Sequence, residues 1–177
     1  KNEIVIGHVG RFNSQKNHEF LINIFNEIHK LVSNSKLMLV GTGNLQNLIK
    51  EKVKELGLED NVLFLGNRSD VNELMQAMDI FVFPSHYEGL PVTLIEAQAS
   101  GLPIIKSNSI SEQCVITPNV YSLSLSDNVQ KWSQKILETY KDYQRNDTSS
   151  YIKDAGFDIE RNAKWLQNLY LGEVKKL

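Results

Sequence analysis

Short apolar, β-branched runs alternate along the chain with longer segments whose apolar positions recur every three or four residues. Ile4-Val5-Ile6-Gly7-His8-Val9 reads as a strand, and Phe20, Leu21, Ile24, Phe25, Ile28 and Leu31 follow at helical spacing. Leu37–Val40 reads as a second strand, followed by a helix from about Leu45 to Leu56 that Gly57 stops. Val62–Leu65 reads as a third strand, with a short helix near Val71 to Met78 behind it. Ile80–Phe83 is the fourth strand, Pro91 to Ala99 the next helix, and Pro103–Ile105 the fifth strand. Strands alternating with helices imply an α/β fold with a parallel sheet covered on both faces. Ligands on such sheets bind at the carboxyl ends of the strands.

The pattern weakens after about Ser107. Tyr121–Leu123 reads as a short strand, and Asn128 to about Tyr143 as a helix with Trp132, Ile136 and Leu137 on its apolar side. Gln144 to Ser150 is polar and reads as a loop. Ile159 to about Leu171 reads as a terminal helix carrying Trp165, Leu166 and Leu169. No repeat, low-complexity linker or composition shift marks a second domain, so residues 1–177 are expected to form one.

Composition narrows the function classes. A chain of 177 residues can bury a real core. Its net charge of −2 shows no basic footprint for nucleic acid. No apolar run approaches the ~20 residues that span a bilayer, and the start enters a strand pattern without a recognisable signal peptide. The expected location is the cytoplasm. The single cysteine, Cys114, excludes an internal disulfide and reads as a small buried hydrophobe.

The most informative stretch runs from His86 to Ala97. It sets Glu88 and Glu96 eight positions apart, around a turn that opens into a helix. Pro91 suits the first helical position, where its fixed φ fits and its missing N–H is not needed. The free amides of Val92 and Thr93 would then face the same space as both carboxylates. Amides at a helix start bind phosphate, and carboxylates accept hydrogen bonds from hydroxyls. One pocket with both would suit a sugar nucleotide.

Other constellations carry a second, plainer meaning. Gly10-Arg11 with Lys16 falls between the first strand and the first helix, where two cations would face the same crevice; alone it could be a solvated basic loop. Gly41-Thr42-Gly43 suggests a dinucleotide turn, yet Gln46 stands where a small residue is needed and Asn67-Arg68 where an acid is expected. A tight turn explains those glycines. Asn67-Arg68-Ser69-Asp70 could wall a base, but Asp70 with Glu73 reads first as a capping box, leaving Arg68 open. His8 and His86 read as structural, and His18 and His29 as surface residues. No spacing suggests a metal site, and Ser85 lacks the Gly-x-Ser-x-Gly elbow.

Taken in order, these residues resemble the carboxyl-terminal, donor-binding half of a family 4, group 1 glycosyltransferase of the GT-B fold, a Rossmann-like α/β/α half. The matching motifs are Gly10-Arg11-Phe12 with Lys16, Val40-Gly41-Thr42-Gly43, Leu65-Gly66, and the run from Asp79 to Pro103 with its E-x7-E pair Glu88 and Glu96. The match is strong over about residues 3–106 and loose beyond. The resemblance implies that Arg11 and Lys16 hold the donor diphosphate and offset charge on the leaving nucleotide. It implies that Glu88 contacts the transferred sugar, which makes Arg11, Lys16 and Glu88 the catalytic set. Glu96 would bind the ribose hydroxyls. Gly10, Arg68 and the segment Gly89, Leu90, Pro91, Val92 and Thr93 would complete the donor site. Enzymes of this kind retain anomeric configuration and use no metal or other cofactor; the substrate would be a UDP- or GDP-type sugar nucleotide.

Ser109-Ile110-Ser111-Glu112 and Asn119-Val120 stand where the family often has Gly-Gly with Glu, then Asn-Gly. The loop after the fifth strand is therefore expected to differ in shape. The family's amino-terminal acceptor domain has no counterpart here, so the chain reads as part of a longer enzyme and is expected to be inactive alone. A lipid-linked or polysaccharide acceptor, as the family implies, would bring that enzyme to the inner membrane face. The competing reading is a non-catalytic nucleotide-sugar binding or assembly module on the same fold. A phosphorylase or epimerase ranks last.

Overall fold

The structure is a computed structural model, and it describes residues 3–173. Six strands form one sheet: β1 (Ile4–Val9), β2 (Ser35–Val40), β3 (Val62–Gly66), β4 (Ile80–Phe83), β5 (Ile104–Ser107) and β6 (Val120–Leu123). Their spatial order is β3-β2-β1-β4-β5-β6 and every pairing is parallel. The helices are α1 (His18–Leu31), α2 (Gln46–Glu55), α3 (Val71–Ala77), α4 (Val92–Ala99), α5 (Val129–Asp142), α6 (Ser149–Asp154) and α7 (Ile159–Tyr170).

Alternation along the strands splits the core into two layers. Ile4, Ile6, Leu37, Leu39, Ile80, Val82 and Ile105 pack with Leu21, Ile24, Phe25 and Ile28 of α1, Ile49 and Val53 of α2, and Trp132 and Ile136 of α5. Met38, Val40, Phe81, Phe83 and Ile104 face the other way, onto Met75 of α3, Met78 just beyond it, and Leu94 and Ala97 of α4. Close packing fixes Gly7 in the middle of β1, because a Cβ there would sit 2.0 Å from the Met78 sulfur.

The strand order reverses between β1 and β4, which lie side by side. At such a switch point the two following loops diverge to opposite faces and leave a crevice at the sheet rim. The loops here are residues 10–17 and 84–91. The α/β reading and all six strands are therefore present, and β4 has the expected bounds.

Three local differences have physical causes. The stretch expected as a loop up to Ser150 gives way at Ser149 to α6, a six-residue helix with no buried residue and hence no periodic signal. Single 3-10 turns at Ser14–Lys16 and Glu112–Cys114 are too short to leave one either. Helix α4 starts at Val92: Pro91 sits one residue before it, at φ −79° and ψ 85°, rather than at the first helical position. Gly57 ends α2 as expected, at φ +66°.

Candidate functional site

The end of β1 is tied to the end of β2. Gly10 N–H donates to Val40 O at 2.9 Å, and Phe12 N–H to Thr42 O at 3.0 Å. Gly41 and Gly43 are what allow this approach: a Cβ at Gly41 would lie 2.2 Å from Gly10 O, and one at Gly43 2.3 Å from Phe12 O. The turn between β2 and α2 is therefore glycine-rich because a second loop lies on it. Asn13 then caps the 3-10 turn, its side chain accepting from Lys16 N–H at 3.2 Å. Asn17 reverses the chain into α1 at φ 55°.

These loops enclose a cavity of about 490 Å³. Val9, Val40 and Val71 give it apolar walls; Gly10, Gly41 and Gly43 open backbone; Arg11, Thr42, Asn67 and Arg68 polar edges. A pocket that is mostly apolar with a few convergent polar groups is the usual form of a small-molecule site. Arg11 is exposed at its rim. Arg68 is engaged by Asp70, whose two oxygens accept from its Nε at 2.7 Å and its Nη2 at 2.5 Å. The Arg68 hydrogen bonds hold the Asp70 carboxyl below its ordinary range. The capping box is accordingly absent: Asp70 precedes α3, but its side chain makes no cap bond. A fork to a guanidinium two residues away outcompetes an uncharged amide.

Lys16 and Glu88 meet across the switch point. Lys16 Nζ lies 2.7 Å from Glu88 Oε1, with side chains only 14% and 7% exposed. The ammonium also stands 4.6 Å from the centre of the Phe83 ring, at the end of β4. The Lys16 stem crosses Gly10, where a Cβ would be 3.2 Å from its Cδ and Cε. Gly10 lines the 490 Å³ cavity, whereas Lys16 and Glu88 themselves do not. Gln15 also reaches Glu88, with Nε2 3.2 Å from Oε2. Sequence reasoning passed over Gln15, because a glutamine between two polar residues has no motif value of its own.

The remaining expected residues lie apart from this pair. Glu96 is exposed on α4 and lines a second depression of about 500 Å³, shared with Ser69, Asn72, Glu73, Gln76 and Ser100. Val71 lines both depressions, so they adjoin. Glu96 thus lines a depression that Glu88 does not, and the two acids do not share one pocket. Gly89, Leu90 and Val92 are exposed, Thr93 is half-buried and Pro91 is buried. The Val92 N–H is not free as expected: with Pro91 outside the helix, it folds back onto Leu90 O at 3.0 Å.

Beneath the loops lie two buried histidines. His8 Nδ1 sits 2.9 Å from Val82 O, while its Nε2 is buried with no protein partner. Burial lowers its pKa to about 4. His18, read from sequence as a surface residue, is 3% exposed; its ring stacks on Phe12 at 4.1 Å and meets His8 edge-on at 4.8 Å. Burial, with lesser effects of His8 and Lys16, drives its pKa to about 2. Both rings are therefore neutral. As a polar residue of the first amphipathic segment His18 looks exposed, but its ring is enclosed by Phe12 and His8, which lie outside that segment. His29 is half-buried, with Nδ1 3.0 Å from Ser35 Oγ.

The loop after β5 has its own anchor. Lys106, fully buried, donates to Ile110 O at 2.9 Å and to Glu112 Oε1 at 2.7 Å. Cys114 is buried, and burial raises its pKa. Among the described residues, no group of three or more His, Cys, Asp or Glu could hold a metal ion. Also among them, no helix is long and apolar enough to cross a membrane.

The model of the family described as glycosyl transferases group 1 matches residues 1–155. The chain belongs to that family. It is 38% identical over 172 residues to the putative glycosyltransferase EpsF of Bacillus subtilis, covering 96% of this chain and 45% of EpsF. It is 29% identical to UDP-Gal:alpha-D-GlcNAc-diphosphoundecaprenol alpha-1,3-galactosyltransferase of Escherichia coli, covering 98% and 47% of the two chains. HepE of Anabaena, whose structure was solved in complex with UDP, superposes with a TM-score of 0.77 at 25% identity, over 96% of this chain and 49% of HepE. The group 1 chain described here spans about half the length of these relatives. Its fold is the Rossmann-like half of a GT-B glycosyltransferase.

Proposed function

We propose that this chain binds a nucleotide-diphosphate sugar at the β1–β4 switch point and, within a longer enzyme, transfers the sugar to an acceptor with retention of configuration. The observation that carries the reading is the cavity walled by Val9, Val40 and Val71, with Arg11 at its rim; the stem of Lys16, paired with Glu88, passes beside Gly10 in its lining. Apolar walls suit a base; the adjoining depression with Glu96 offers carboxylate and hydroxyl groups to a ribose. Arg11 and Lys16 bring two cations to the side of Gly10, where a diphosphate could approach the backbone closely. The UDP seen in HepE supports a nucleotide of this kind.

The chemistry follows from charge. When the bond between sugar and diphosphate breaks, negative charge builds on the departing oxygen. Arg11 and Lys16 would meet it, and preorganised cations of this kind need little reorganisation as the charge forms. Glu88, beside Lys16, would meet the sugar. No group of this set requires a metal, and metal-independent transfer belongs to the same proposal. An acceptor domain in the remaining half, and a lipid-linked acceptor like the GlcNAc-diphosphoundecaprenol in the E. coli relative's name, met at the membrane face, are proposed on the same footing.

Titration calorimetry of this chain with UDP and GDP tests the reading. One nucleotide is expected to bind, and Arg11→Ala to weaken it at least tenfold, about 1.4 kcal/mol. Absence of binding by both nucleotides, or an unaltered affinity in Arg11→Ala, would overturn it.

A further inference from the structure

Glu88 lies in a loop whose other residues are mostly open to solvent: His86, Tyr87, Gly89 and Leu90 are all exposed. A glutamate in such a loop would ordinarily sample many rotamers. Here its side chain is nearly buried, and its two oxygens are taken by two successive residues of the 3-10 turn. Lys16 holds Oε1 at 2.7 Å and Gln15 holds Oε2 at 3.2 Å. Gln15 does more. Its Nε2 also donates to Tyr87 O at 3.0 Å, and its backbone oxygen accepts from His86 N–H at 2.9 Å. One residue thus engages three consecutive residues of the loop, and both hydrogens of its amide are matched to acceptors.

We propose that Gln15 is a positioning residue that holds the Glu88 carboxylate in its sugar-facing orientation while Lys16 answers the diphosphate. The proposal rests on the donor-site reading above. The two grips on Glu88 differ in kind. The Lys16 ammonium is a mobile point charge with three donors, and an arriving diphosphate competes for it. The Gln15 amide is neutral, so the same anion does not draw it away. Gln15 therefore keeps Glu88 fixed when Lys16 shares its charge with the phosphates. A base and diphosphate alone do not need Glu88; the sugar does. Loss of Gln15 should erode the part of the affinity that the sugar adds and spare the nucleotide.

The test compares UDP with UDP-glucose, UDP-galactose and UDP-N-acetylglucosamine by calorimetry, in wild type and in Gln15→Met, which keeps the side chain's size and removes both donors. The expected result is a UDP affinity within about twofold of wild type and a five- to tenfold loss for the preferred sugar nucleotide. In a Glu88→Ala background, Gln15→Met should cost the sugar nucleotide nothing further, because the residue acts through Glu88. Equal losses for UDP and the sugar nucleotide, or additive losses in the double mutant, would overturn the proposal. If the wild-type chain binds none of these ligands, the donor-site reading fails by itself. Hydrogen exchange of the ligand-free chain then decides the clamp: amides from His86 to Gly89 should exchange at least fivefold faster in Gln15→Met, and unchanged exchange refutes it.

Discussion

Helices α5 and α7 look alike along the chain and behave in opposite ways in the fold. Both carry an apolar stripe with a tryptophan in it. In α5 that stripe is spent: Trp132 and Ile136 are fully buried, Trp132 Nε1 donates to Ser124 O at 2.9 Å, and its ring meets Phe20 edge-on at 5.5 Å. In α7 no residue is buried, and Trp165 remains 52% exposed. An apolar stripe tells which face of a helix seeks cover. It does not tell whether the same chain supplies the cover. The candidate site sits on the α5 side of this contrast, because α5 packs on α1, and α1 follows directly on the loop that carries Arg11 and Lys16.

The sharpest way to break the comparison is to remove each tryptophan. Trp132→Ala empties a close-packed site and should cost about 3–5 kcal/mol. Trp165→Ala removes a side chain that contacts solvent and should stay within about 0.5 kcal/mol of wild type. Urea denaturation measures both. Similar losses would mean that α7 is seated in solution as firmly as α5.

Acid sharpens the contrast from the other side. His8 and His18 lie in the buried layer beneath the site, whereas no histidine occurs after Tyr143. In the unfolded chain both rings titrate near 6.5. In the fold burial holds them to about 4 and about 2. Well above pH 6.5 neither state is protonated at these rings, and they add no pH dependence. As the pH falls from 6.5 toward 4, the unfolded chain takes up protons that the fold refuses. Stability then drops by about 1.4 kcal/mol per pH unit for each ring. His18→Leu should remove about half of that slope between pH 6 and 4.5, read from denaturation midpoints. An unaltered slope would mean that His18 gains solvent readily.

The parts of the fold and site that were legible are those with local causes. Strands showed themselves because Ile4–Val9 and Ile80–Phe83 are apolar runs of the right length. Gly10, Arg11, Lys16 and Glu88 could be assigned to one sheet rim because a motif order ties them to strand ends, and strand ends share a rim. What stayed hidden depends on partners distant in sequence. Gln15 gains meaning only once the loop at Tyr87 and Glu88 folds over it. Lys106 carries no motif, and its place shows only once Ile110 O and Glu112 are seen around it. Asp70 is drawn from its expected cap by Arg68 beside it, a contest between two local options that spacing cannot settle. Pro91 missed its expected place by one residue, and that single step turns the Val92 amide away from the crevice.

A small effect is also expected where α7 is removed altogether. The helix is built from local bonds: Asp158 caps it by accepting from Arg161 N–H at 2.9 Å, and Asn162 Nδ2 donates to Gly156 O at 2.7 Å. Between it and the rest of the fold lies a depression of about 380 Å³, lined by Ala99, Ile152, Phe157 and Ile159. A helix that leaves such a gap adds little packing. A chain ending at Gly156 should therefore melt within about 4 °C of the whole, the shift that ~1 kcal/mol produces at this size. It should also keep its nucleotide affinity within twofold, since Arg11, Lys16 and Glu88 belong to loops that α7 does not line. A fall of 10 °C or more would erase the distinction between the two helices, and would show that the stripe on α7 is covered by this chain after all.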